Sequence, residues 1–188
     1  VSEQIDLILM EAEEKMDKAI DVAREDFGTI RTGRATSAMF NKIVVDYYGT
    51  HTPVNQLASF QIPEARMILI APYDKGATTA IEKALRESDL GINPTTDGNI
   101  IRIVLPQLTE ERRKEYIKVA KHKAEEARVS IRNIRRHGKD SLDKLQKDGD
   151  AGEDEVRRAE KSLEDLTHKH VEHIDEILKH KEAELLEV

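Results

Sequence analysis

The chain has no cysteine and no tryptophan among its 188 residues. Without thiols, disulfides, thiolate zinc sites and cysteine nucleophiles are all excluded. Aromatic residues supply 4% of the sequence and charged residues 36%, a balance that fits long solvated helices packed through narrow seams better than a thick globular core. The 38% of hydrophobic residues still suffices for at least one modest core. No apolar run approaches the roughly 20 residues that a helix needs to span a bilayer. Ser2 to Asp26 is acidic where a signal or transit segment is basic, so no membrane partner and a cytoplasmic location are expected.

A net charge of -7 argues at first against a polyanionic partner. Its distribution reverses that inference. Residues 1–30 carry 3 basic and 9 acidic side chains, and residues 31–108 carry 8 and 7. Residues 109–147 carry 13 and 7, whereas residues 148–188 carry 6 and 14. One basic segment therefore lies between acidic neighbours.

From Ile5 to Ile30, apolar residues recur every three or four positions, the period of one helix face. Gly28 and Gly33 then weaken helical propensity. Ile43–Tyr48, Met67–Tyr73 and Ile100–Leu105 have the β-branched and aromatic character of strands, and Ala77–Arg86 carries an amphipathic helical pattern. Pro94, Asp97 and Gly98 supply turn chemistry before the last strand. Thr109 is placed to cap a long helix that runs to about Lys147 through Ala120, Ala124, Ala127, Ile131 and Gly138. Its small residues admit a close neighbour. Asp148–Gly152 breaks the pattern, and a third long helix follows from about Glu153, with Val156, Ala159, Leu163, Leu166, His170, Ile174 and Ile177 as its seam.

Three amphipathic helices must bury their stripes, so the expected architecture is α+β. It is an elongated antiparallel three-helix bundle, residues 1–30 plus 106–188, with a small β/α/β domain, residues 31–105, inserted between the first two helices. The chain crosses between domains twice, near 31–35 and 105–107, and two short backbone segments make a natural hinge.

Several chemical motifs fail on their own requirements. Gly28–Ala35 has the glycine spacing of a phosphate loop, but a helix precedes it and Arg34-Ala35 occupy the places of its Lys and Ser or Thr. His168, His170, His173 and His180 lack the i, i+4 pairing of a metal-binding helix, and Asp148, Asp150 and Asp154 miss the calcium-loop register because Gly152 falls one place early. No nucleophile elbow or clustered acid pair is present. No catalytic residue, metal or cofactor is expected.

What remains is Arg128, Arg132, Arg135, Arg136 and Lys139, four of which share one helix face beside the packing seam. Two readings compete. The cations are either pairing partners of the acidic helices, as in a protein-binding helical bundle or adaptor, or contacts to nucleic-acid phosphate. Arginine in four of five places favours phosphate, which its planar fork holds bidentately.

Arg31-Thr32-Gly33-Arg34-Ala35, Leu108-Thr109-Glu110-Glu111-Arg112-Arg113-Lys114 and Ala127 through Arg136 resemble the signatures of bacterial ribosome recycling factor. Ile43 through Thr50 and Ser88 through Pro94 resemble that family's inserted domain, so the likeness runs essentially end to end. The resemblance implies an L-shaped, tRNA-like monomer that binds the post-termination ribosome. Its bundle lies on the large subunit across the A and P sites against 23S ribosomal RNA. Elongation factor G, using GTP, then drives the subunits apart and frees mRNA and tRNA. Carried onto this chain, RNA contact falls chiefly to Arg132 and Arg135, with Arg128, Arg136 and Lys139 flanking and Arg31 near the bundle's end. The implied hinge is Thr32, Gly33, Arg34 and Ala35 together with Leu105, Pro106 and Gln107. Thr36-Ser37-Ala38 and Gln107 stand where the family often has proline, so a looser hinge is expected here.

Overall fold

The computed structural model describes residues 2–187. Three long helices, α1 (Ser2–Gly28), α3 (Glu110–Lys147) and α4 (Glu153–Leu186), flank a segment of six strands and one shorter helix, α2 (Thr78–Glu87). Among the described residues, no helix is long and apolar enough to cross a membrane. The chain divides into two compact units. One holds the amino end to Phe27 with Lys118–Glu182, and the other holds Gly28–Ile117 with the chain from Ala183.

In the helical unit, the three-four spacing becomes burial. Ala12, Met16, Ala23 and Phe27 of α1, Ala120, Ala124, Ile131 and Leu142 of α3, and Val156, Ala159, Leu163 and Ile174 of α4 are buried. Ile20 of α1 is buried as well, and along the expected α4 seam Leu166 and Ile177 are only half-buried while Thr167 is buried. Thr167 is tolerated because its hydroxyl donates to the Leu163 carbonyl at 2.7 Å. Directions follow from cross-helix contacts. Arg128 meets Asp175 while Gly138 faces Leu163, so α3 and α4 run antiparallel. Asp17 and Arg24 of α1 meet His170 and His173 of α4, so those two run parallel. Thr109 does cap α3, accepting from the Arg112 amide at 3.1 Å.

The second unit has more strands than the sequence pattern suggests. β1 (Val44–Tyr47) and β2 (Thr50–Pro53) form a hairpin. β3 (Ala58–Glu64), β4 (Met67–Pro72), β5 (Thr95–Asp97) and β6 (Ile100–Val104) form an antiparallel sheet in the order β3-β4-β6-β5. Three strands were expected; β2, β3 and β5 escape notice because they are short or largely exposed, and β3 contains Pro63. Asp97 is not a turn residue but pairs with Ile100, leaving Gly98, at φ 66°, to turn the β5–β6 hairpin. Alternation sets the core: Ile68 and Ile70 of β4 oppose Ile103 and Ile101 of β6, all fully buried. Ile81 and Leu85 of α2 and Phe40 complete it.

Candidate nucleic-acid interface

The basic residues of α3 project beside its seam, and the structure sorts them by partner. Arg128, with only 19% of its side chain exposed, donates to Asp175 of α4 at 2.7 Å and to Glu125 at 3.1 Å. Desolvation opposes its charge, but the two carboxylates outweigh that cost and raise its pKa above the ordinary arginine value. Arg128 is thus held within the bundle. Arg132, half exposed, has one longer contact, 3.6 Å to Glu125. Arg135, Arg136 and Lys139 form no ion pair among the described residues. The pairing reading therefore fits Arg128, and the cations further along α3 stay available to an outside anion.

Arg31 requires a correction as an RNA contact. Its side chain is buried, and its guanidinium donates to the backbone carbonyls of Pro106 and Leu90. Burial pushes its pKa below the ordinary value. A cation enclosed in this way ties one expected hinge segment to the other within the second unit instead of facing a phosphate.

The expected hinge residues are partly pinned. Ala35 donates its amide to the Ala65 carbonyl and Leu105 donates to the Arg66 carbonyl, both at 2.7 Å. Both expected hinge segments are therefore fastened to the single turn between β3 and β4, and both lie inside the second unit, not at its boundaries with the first. Thr32 is buried and its hydroxyl lies 3.3 Å from the Arg34 amide, while Arg34, Pro106 and Gln107 are exposed. Gly33 has no positive φ, and a Cβ there meets nothing closer than 3.7 Å. Ala65 and Arg66 carry no signal in the sequence pattern, because only the folded hairpin brings them to both segments.

The histidines of α4 have protein partners. His170 is buried, its Nε2 2.7 Å from the Asp17 carboxylate and its Nδ1 2.7 Å from the Leu166 carbonyl. His173 accepts from Arg24, and His168 pairs with Glu172 one turn away. They serve as seam and surface residues.

Comparison with known proteins finds relatives along nearly the whole chain. The family model described as ribosome recycling factor matches residues 23–186. A ribosome-recycling factor from Acidothermus cellulolyticus is 71% identical over 184 residues, covering 98% of this chain and all of its own. One from Mycobacterium marinum is 64% identical over the same shares. Among solved structures, the solution structure of a ribosome recycling factor superposes with a TM-score of 0.76 at 40% identity, over 98% of each chain. Another, described as models for the T. thermophilus ribosome recycling factor and the E. coli elongation factor G bound to the E. coli post-termination complex, gives 0.68 at 40% identity over 97% of this chain and 99% of its own. With the family match and these relatives spanning nearly the whole sequence, the chain belongs to the ribosome recycling factor family.

Proposed function

We propose that this chain acts in ribosome recycling in the cytoplasm, as a monomer without catalytic groups of its own. It binds the large subunit of the post-termination ribosome across the A and P sites, against 23S ribosomal RNA. With elongation factor G and GTP, it promotes subunit splitting and the release of mRNA and tRNA. The observation that carries this reading is the distal half of α3, where Arg135, Arg136 and Lys139 stand without ion-pair partners among the described residues of an acidic chain. Arginine forks positioned on a rigid helix suit phosphate recognition. Arg132 and Arg135 are the principal contacts in this account, with Arg136 and Lys139 beside them and Arg128 setting the helix in place. The segments Thr32–Ala35 and Leu105–Gln107 serve as the hinge through which the partner's motion is transmitted.

The test is the loss of polysomes in the presence of this protein, elongation factor G and GTP, with the native chain compared against Arg132→Ala with Arg135→Ala. A large loss of activity, with a shallower salt dependence of large-subunit binding, is expected. Equal activity would overturn the assignment. The adaptor reading keeps one observation, the Arg128 pair with Asp175, and predicts that substitutions along the stripe lower the melting temperature more than ribosome binding.

A further inference from the structure

The basic surface continues beyond α3. Across from Arg135 and Lys139, α4 places Arg157 and Lys161 one turn apart, and all four line a single groove of about 550 Å³. That volume lies in the range of small-ligand clefts. The groove forms where the helices approach closely: a Cβ on Gly138 would stand 2.9 Å from the Leu163 side chain, which is buried beneath it.

The pairing pattern shows what the groove is suited to hold. Glu160, Glu164 and Asp165 line it as well, yet Arg135, Lys139 and Lys161 pair with none of them or with any other described carboxylate. Arg157 has one partner, Glu153 on its own helix at 3.0 Å, and both side chains are about 70% exposed, at 71% and 70%. Such a pair contributes little and exchanges readily. Four cations gathered in one cleft repel one another, and an inserted phosphate relieves that repulsion while accepting from two arginine forks. The three carboxylates leave the groove only weakly positive as a whole, so its attraction is confined to a phosphate that reaches the unpaired cations directly.

We propose that Arg157 and Lys161 of α4 join Arg135 and Lys139 of α3 in one RNA phosphate site, so that the RNA footprint spans two helices. This rests on the RNA-binding reading given above. The test measures binding of the full chain to isolated large ribosomal subunits across a salt series. The variants are Arg157→Gln with Lys161→Gln, Arg132→Ala with Arg135→Ala, and a charge-matched control on α4 outside the groove, Lys169→Gln with Lys179→Gln. Each lost phosphate contact lowers the salt slope by about 0.7 to 0.9, so loss of the α4 groove pair from this single-phosphate site should lower it by up to about that amount and weaken binding on the order of tenfold. The control should leave the slope as in the native chain. If the α3 pair lowers the slope and the α4 groove pair does not, the two-helix site is wrong and the RNA reading survives. Equal drops for groove and control pairs mean bulk charge alone, which also overturns the site. If neither the α3 pair nor the α4 pair has an effect, both readings fall.

Discussion

At the scale of single residues, neighbours on one helix do different work. Arg128 is enclosed by Asp175 and Glu125, whereas Arg135, seven residues on, pairs with no described carboxylate. Arg128→Ala should therefore cost about 1 kcal/mol in chemical denaturation, the upper end for a surface pair, and leave the salt slope of subunit binding nearly unchanged. Arg135→Ala should stay within about 0.5 kcal/mol of native stability and lower that slope. The reverse pattern would show that the pairing has been assigned to the wrong cations. Gly138 carries a second residue-scale constraint, since an added Cβ would stand 2.9 Å and 3.3 Å from the two methyls of buried Leu163. Alanine gains about 1 kcal/mol of helix propensity, which offsets a shift of those methyls. Gly138→Val forgoes most of that gain and is expected to destabilise by about 2 kcal/mol through overpacking. Adding Leu163→Ala should recover part of the loss in a double-mutant cycle, and strictly additive effects would show that the two sites do not touch.

At the scale of elements, the β1–β2 hairpin turns through Tyr48 at φ 49° and Gly49 at φ 83°, the two positive values of a type I′ turn. The hairpin is fastened to the loop before α2 by the Tyr47 hydroxyl, which donates to the Asp74 carboxylate at 2.8 Å. That bond, with the Gly76 amide, holds Asp74 below the usual carboxylate range, and the same bond raises the Tyr47 phenol above its ordinary value. A depressed carboxylate pKa stabilises the fold above the unfolded value and loses that effect as pH falls through the folded one. A raised phenol pKa stabilises below the unfolded value, and the effect is lost as pH rises through the folded one. Tyr47→Phe should therefore lower the melting temperature at neutral pH, with the gap to native closing below the carboxylate range and above the ordinary phenol range. A gap that is constant with pH would mean that the hydroxyl bond does not contribute. The elements themselves were unevenly legible in the sequence. Long helices with whole-turn periodicity could be located to within two or three residues, as Thr109 and Asp148–Gly152 show, because burial along a helix repeats many times. β2 and β5 were not legible, since Thr50–Pro53 and Thr95–Asp97 carry little apolar alternation and pair through backbone. The basic stripe was visible, but not its division at Arg128, nor the burial of Arg31, which depends on carbonyls 59 and 75 residues away.

At the scale of the whole molecule, the distribution of charge matters more than its sum. A chain of net charge -7 carries 13 basic against 7 acidic side chains in residues 109–147, while residues 148–188 carry 6 against 14. Fields from exposed charges reach about 8 Å at physiological ionic strength, so acidic side chains near the stripe weaken its pull on polyanions at a distance. They do so without occupying Arg135, Arg136 or Lys139, which make no ion pair with a described residue. A surface of this kind favours anions that reach the cations directly over those that merely pass nearby. Neutralising exposed acids that lie outside the groove, Glu13→Gln and Asp21→Asn on α1 with Asp154→Asn and Glu176→Gln on α4, should then leave specific large-subunit affinity within roughly threefold. Binding to a single-stranded RNA homopolymer should rise by roughly an order of magnitude at low salt, and the rise should disappear as salt increases. Gel-shift titrations with the homopolymer and with large subunits, run over one salt series, separate the two effects. If homopolymer binding does not rise, the acidic helices do not govern selectivity, and the distribution of charge reflects solubility alone.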